Sequence, residues 1–283
     1  MPIVQKQTTK PAIRKTGSVI DRIAPIDFDD EQGIKILLYG RSGSGKTTLW
    51  SSFPAPILSV ICSGGVKSGE LRSLNTLENK KRIKQVVIEK SSEMKEVIEH
   101  VAETGSYKTL VLDHVSGLQD KILSEVLGLD ELPAQIGWGV ATQQQYGQMS
   151  LQCKEIMRAM LGLSCNVVVI GQERESHVEE TSELLMPTVG VALTPSLAGW
   201  LNPAVDYVCQ TFIRPTMVIK KTKIGDKIVE TKTRGTGVEY CLRTAPHDIY
   251  TTKFRIPKGN KLPEVLVDPS YQAIKKLIDG QGG

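Results

Sequence analysis

No stretch of this 283-residue chain reaches the roughly 18 to 20 consecutive apolar residues that a helix needs to cross a bilayer. Its opening, MPIVQKQTTK, also lacks the apolar centre of a secretory leader. Both absences point to a soluble chain without a membrane partner, with the cytoplasm as the expected compartment. The five cysteines, Cys62, Cys153, Cys165, Cys209 and Cys241, are odd in number, widely scattered and without C-x-x-C spacing. That pattern supports neither a disulfide framework nor a zinc site. No internal repeat and no low-complexity segment occurs. What is present is a chain with 40% apolar residues, long enough to bury one substantial core.

A net charge of +4 conceals an uneven distribution. Lys and Arg outnumber Asp and Glu five to one over residues 1–22 and 14 to seven over 213–283, while residues 23–212 hold 16 basic against 23 acidic side chains. An acidic centre is flanked by two basic ends. Clustered cations release condensed counterions when they neutralise phosphates, so this asymmetry suits a polyanionic partner.

Residues 1–30 are polar, carry Pro2, Pro11 and Pro25, and read as a basic arm and linker. IKILLY (34–39) is an apolar run of buried-strand type ending in a glycine loop, after which GKTTLWSSF begins a helix that Pro54 and Pro56 stop. Further strands are expected at ILSVI (57–61), IKQVVIE, residues 109–112 and NVVVIG (166–171). Helices are expected at SSEMKEVIEHVAET, with Ser91 or Ser92 as cap, at 117–127 and at QMSLQCKEIMRAMLGL. Strands alternating with helices imply a mainly parallel sheet with crossover helices, an α/β core over residues 31–212. About 25 residues after Glu173 show little periodicity. Residues 213–283 read as antiparallel hairpins and a short helix that complete the same domain.

Gly40, Gly45, Lys46 and Thr47 fit G-x-x-x-x-G-K-[ST], the P-loop pattern, within LLYGRSGSGKTTLW. Glycines let successive N–H groups turn inward toward phosphate oxygens, and the following helix offers its positive end to the same anion. The loop from Gly40 through Arg41, Ser42, Gly43, Ser44, Gly45 and Lys46 to Thr47 and Thr48 is therefore the expected cradle of a nucleoside triphosphate. Lys46 would reach the terminal phosphates and Thr47 would ligate magnesium. Asp113 closes the run TLVLD and supplies a carboxylate at a strand end, where a magnesium ion held by Thr47 needs one.

The segments LLYGRSGSGKTTL, TLVLDHVSGL, NVVVIGQER, PSLAGWLNPAVDYV and YTTKFRIPKG occur in the order found in the RecA-like P-loop ATPases encoded by many bacteriophages. The chain resembles that group, which includes single-strand annealing proteins, over about residues 33–280. The resemblance implies a RecA-like ATPase that binds ATP and Mg2+, assembles into rings or filaments and binds single-stranded DNA in phage recombination. A phage single-strand binding or recombination protein is an expected partner, and the compartment would be the host cytoplasm. It places Asp113 near magnesium and Gln172 where an amide senses the terminal phosphate. It also gives Lys253 and Arg255, two apart on an expected strand, the role of a finger that a neighbouring subunit inserts.

The sequence departs from the family where a catalytic glutamate is usual. Cys62 and Ser63 follow the second strand, and His114 follows Asp113. Glu70, Glu173 or His114 could supply the base, or hydrolysis is slow and the nucleotide sets assembly. A helicase or translocase on the same core is a further reading. Trp138, Arg174 and His177, in loops beyond the strand ends, are the candidates for nucleic-acid contact, and Lys6, Lys10, Arg14 and Lys15 give the arm its charge.

Overall fold

The computed structural model describes residues 33–62, 74–129, 141–176, 187–224 and 227–281, with the side chains of 218–224 and 227–232 left aside. The basic arm, Ser63, Glu70, Trp138 and His177 lie outside the described residues.

Short, fully buried apolar runs form the centre of the fold. They are β1 (Lys35–Tyr39), β2 (Ile57–Ile61), β4 (Thr109–Asp113) and β5 (Asn166–Gly171), with β3 (Ile83–Val87) beside β2 at the edge. A strand buried on both faces favours a near-continuous apolar run, and these supply one, with buried polar residues mainly at the strand ends, Lys35, Thr109, Asp113 and Asn166. Tyr207–Ile224 forms β8, Lys227–Arg243 forms β9 and Val265–Val267 forms β10. The sheet order is β10-β9-β8-β1-β5-β4-β2-β3. From β8 to β3 neighbours run parallel; β9 and β10 are antiparallel. β8 begins parallel to β1 at Tyr207 and continues without a break through residue 213 into a long hairpin with β9.

Helices cover both faces. α1 (Lys46–Ser51) and α7 (Tyr271–Ile278) pack with Ile36, Leu38, Val111, Val168 and Ile170 on one side. On the other, α3 (Glu93–Thr104), α4 (Val115–Leu127), α5 (Gln143–Leu161) and α6 (Pro195–Ala204) bury Leu37, Tyr39, Leu58, Val60, Leu110, Leu112, Val167 and Val169. Alternate residues of each strand thus feed two cores, as the period of two requires. The short α2 (Leu77–Arg82) is capped by Thr76, whose side chain accepts from the Asn79 N–H at 3.1 Å.

Several elements differ from the sequence reading. α5 begins at Gln143, ahead of the expected helix start at Gln148, because Thr142 and Gln145 form a reciprocal capping box. Ser92 precedes α3 but makes no side-chain cap, and the Ser91 N–H and hydroxyl instead donate to the Glu125 carboxylate of α4. The segment after Gln172 contains a two-stranded ribbon, β6 (Glu173–Ser176) with β7 (Thr188–Val191), followed by α6. Gly199 and Pro203 mask the helical periodicity of α6, yet Leu197 and Leu201, four apart, anchor it in the core. Lys253 and Arg255 lie on no strand, and only an isolated bridge joins Lys253 to Val208.

Candidate functional site

The loop between β1 and α1 forms its cradle with backbone conformations that glycine permits. Gly43 and Gly45 have φ of 77° and 90°, in the left-handed region where other residues are strained. Gly40 is required for a different reason: a Cβ there would stand 2.2 Å from the Thr211 carbonyl oxygen of β8. A hydrogen-bonded chain ties the loop to that strand. The Thr211 hydroxyl donates to the Tyr39 carbonyl at 3.2 Å, which leaves its oxygen to accept from the Ser44 hydroxyl at 2.7 Å. Ser44 thus braces the cradle from behind. The Lys46 ammonium donates to the Gly40 and Arg41 carbonyls at 2.7 and 2.8 Å, which holds its charge over the loop.

Sheet order brings the remaining groups to this cradle. β5 lies between β1 and β4, so the carboxyl ends of all three strands open onto one cleft. Ser42, Gly43, Gly45, Lys46, Thr47 and Thr48 form its floor, while Asp113, His114 and Gln172 come from the ends of β4 and β5. The cleft has a volume of about 310 Å³. Tyr240 of β9 completes the wall; its ring lies so close to Gly45 that a Cβ there would sit 2.8 Å from it. Nothing in the sequence near the loop signals Tyr240 or Thr211, since each arrives through strand pairing.

Glycine N–H groups, a lysine, a helix start and a hydroxyl beside a carboxylate match what a magnesium-bound nucleoside triphosphate requires. Among the described residues no three or more His, Cys, Asp or Glu side chains gather as a metal cage. Magnesium at this cleft would draw on Thr47, the buried Asp113 and phosphate oxygens, a donor set that suits an ion reluctant to shed its waters.

The residue at the place of the usual glutamate and the described base candidates, Glu173 and His114, differ in their surroundings. Cys62 is buried at the end of β2, and burial pushes its thiol up to about 12, so the sulfur stays protonated at neutral pH. Glu173 is held by two partners: Arg41 Nε at 2.6 Å on one carboxylate oxygen and Gln210 Nε2 at 3.1 Å on the other. Gln210 in turn accepts from Arg243, whose guanidinium lies 4.9 Å from the Phe212 ring and 4.6 Å from the Tyr250 ring, so this network braces the β8 side of the loop. His114 lines the cleft, but its Nδ1 accepts from the Gly117 N–H at 3.0 Å.

Lys253 and Arg255 stand at the opposite end of the sheet from the cradle of the same chain. The Lys253 ammonium donates to the carbonyls of Asn202, Pro203 and Val205 at 3.3, 2.9 and 2.5 Å, closing the carboxyl end of α6. Burial, then the nearby Arg255, lowers its pKa. Arg255 pairs with Asp206 at 2.8 Å. Arg174 is exposed on β6, in the residue after Glu173.

Among the described residues no helix is long and apolar enough to cross a membrane. A search of curated proteins gives no match. Among solved structures the chain is similar to the flagellar accessory protein FlaH from Methanocaldococcus jannaschii, at 11% identity and a TM-score of 0.43, over 84% of this chain and 86% of that one. At that level the likeness carries no argument. The family described as an AAA domain matches residues 32–256, most of the length and every element of the cleft, and the chain belongs to that family.

Proposed function

We propose that this protein is a magnesium-dependent ATPase of RecA-like type that assembles with copies of itself and binds single-stranded DNA in phage recombination or annealing. One observation carries the ATPase part: a P-loop with Lys46 and Thr47 shares a single cleft with Asp113 and Gln172. In this reading the loop N–H groups and Lys46 bind the phosphates, Thr47 and Asp113 hold magnesium, and Gln172 meets the terminal phosphate. The ion supplies charge neutralisation of the phosphates when bound.

The Gln172 carbonyl accepts from the Ala192 N–H at 2.8 Å, so a shift of Gln172 would move the start of β6 and the end of β7 together. This supports a link between nucleotide state and the β6–β7 ribbon that carries Arg174. The basic excess over residues 213–283 supports a polyanionic partner. Exposed Ile213, Met217, Val238 and Tyr240 on the β8–β9 hairpin support self-association. Delivery of Lys253 and Arg255 to a neighbouring copy's cleft belongs to the same proposal, and it requires Lys253 to leave the end of α6.

A second reading has its own support. Among the described residues, Cys62 at the end of β2 is a protonated thiol and Glu173 is already tied to Arg41 and Gln210. A protein that binds ATP tightly to set its assembly, with little hydrolysis, fits that arrangement. Phosphate release measured with and without single-stranded DNA at low salt separates the two. The first reading expects turnover to rise severalfold with DNA, and DNA binding to fall steeply with added salt. No DNA binding at low salt with ATP and magnesium present overturns the DNA part. Negligible turnover beside tight ATP binding favours the second reading.

A further inference from the structure

The fold decides which nitrogen of His114 carries the proton. The Gly117 N–H is shared between the His114 carbonyl at 3.1 Å and Nδ1 at 3.0 Å; as an acceptor there Nδ1 holds a lone pair, and the proton of the ring sits on Nε2. His114 is the extended residue that precedes α4, with φ −117° and ψ 160°, and this contact caps the helix. Glycine at 117 keeps room for the ring: a Cβ there would stand 3.2 Å from His114 Cε1 and 3.5 Å from the Cys62 carbonyl carbon. The imidazole is thus fixed by backbone on one edge, while the residue forms part of the cleft wall with Asp113 and Gln172, across from the loop.

A ring held this way has a donor at Nε2 and no unused acceptor. A base for the attacking water needs a lone pair, and the helix has already used the one at Nδ1. We propose that His114 donates a hydrogen bond to the terminal phosphate of the bound nucleotide, through Nε2–H to a non-bridging oxygen, and is not the base. The inference rests on the ATP reading of the cleft and gives one more residue a role in it. No proton is transferred to or from His114 in this role. Because the oxygen it meets exists in a triphosphate and not in a diphosphate, the contact sets the preference for ATP over ADP. One such donor to a charged oxygen is worth roughly tenfold in affinity.

Two substitutions separate the helix cap from the phosphate contact. In His114→Asn the short side chain places an oxygen where Nδ1 stands, so it continues to accept from Gly117 but carries no donor as far as Nε2. In His114→Gln the longer amide carries an N–H toward the Nε2 position and gives up the cap. The measurement is equilibrium binding of a non-hydrolysable β,γ-imido ATP analogue and of ADP, each with magnesium, beside thermal melting.

The expected result is a His114→Asn variant that melts near the wild type, binds ADP normally and loses roughly tenfold of its preference for the triphosphate. His114→Gln should melt lower and retain most of that preference. A His114→Asn variant with the wild-type preference overturns the proposal, as do equal losses for both nucleotides. Lys46→Ala is the control for the cleft itself and should lose both nucleotides. A wild type that binds neither overturns the nucleotide reading, and the role of His114 with it.

Discussion

Thr211 shows how a single hydroxyl can hold a loop in shape. It donates to the last carbonyl of β1 and accepts from Ser44, so one side chain of β8 fixes both the start and the middle of the cradle. Thr211→Val keeps the volume and removes both bonds, leaving two buried groups short of a partner. The expected cost is about 1–3 kcal/mol, read as a lower melting temperature, together with weaker nucleotide binding. Ser44→Ala combined with Thr211→Val should cost less than the sum of the two alone, because the pair shares one bond. That Lys46, Thr47 and Asp113 meet at one cleft was legible in the sequence, because each follows a buried strand of a parallel sheet. Thr211 and Tyr240 were not, since what matters is the strand opposite them. The K-x-R pair illustrates the reverse problem. Its spacing fits a finger, but within one chain Lys253 closes a helix end and Arg255 meets Asp206.

Among the elements, buried strands were the most readable and helix starts the least. ILSVI and NVVVIG occupy the same residues in the structure as in the sequence reading, because a strand covered on both faces leaves little room for polar residues. The start of α5 was hidden among glutamines, where no apolar periodicity exists, and only the capping box marks it. Thr142→Ala should therefore destabilise the protein by about 0.5–2 kcal/mol, seen as a shift in the denaturant midpoint. Loss of the cap should fray the first turn of α5, including Tyr146, before the buried Met149 and Cys153 are reached. α6 escaped notice because its glycine and proline signal a loop, whereas two leucines and the core around them decide the outcome.

For the molecule as a whole, function rests on the crossing of chain order by sheet order. β1, β4 and β5 are far apart in sequence, yet placing β5 between the other two sets Lys46, Thr47, Asp113 and Gln172 around one cleft. The α/β class and the phosphate-binding loop were readable in advance. The closing of the cleft by Tyr240 was not, because the hairpin that carries it meets the loop only after β8 has joined β1. The central claim is that this cleft binds MgATP through the loop. Titration of the purified chain with a fluorescent ATP analogue, with and without magnesium, tests it most directly when paired with Lys46→Ala. The account predicts saturable, magnesium-strengthened binding by the wild type and a loss of at least about tenfold in the variant, whose fold and melting temperature stay close to wild type. Equal binding by the two proteins, or none by the wild type, would contradict it.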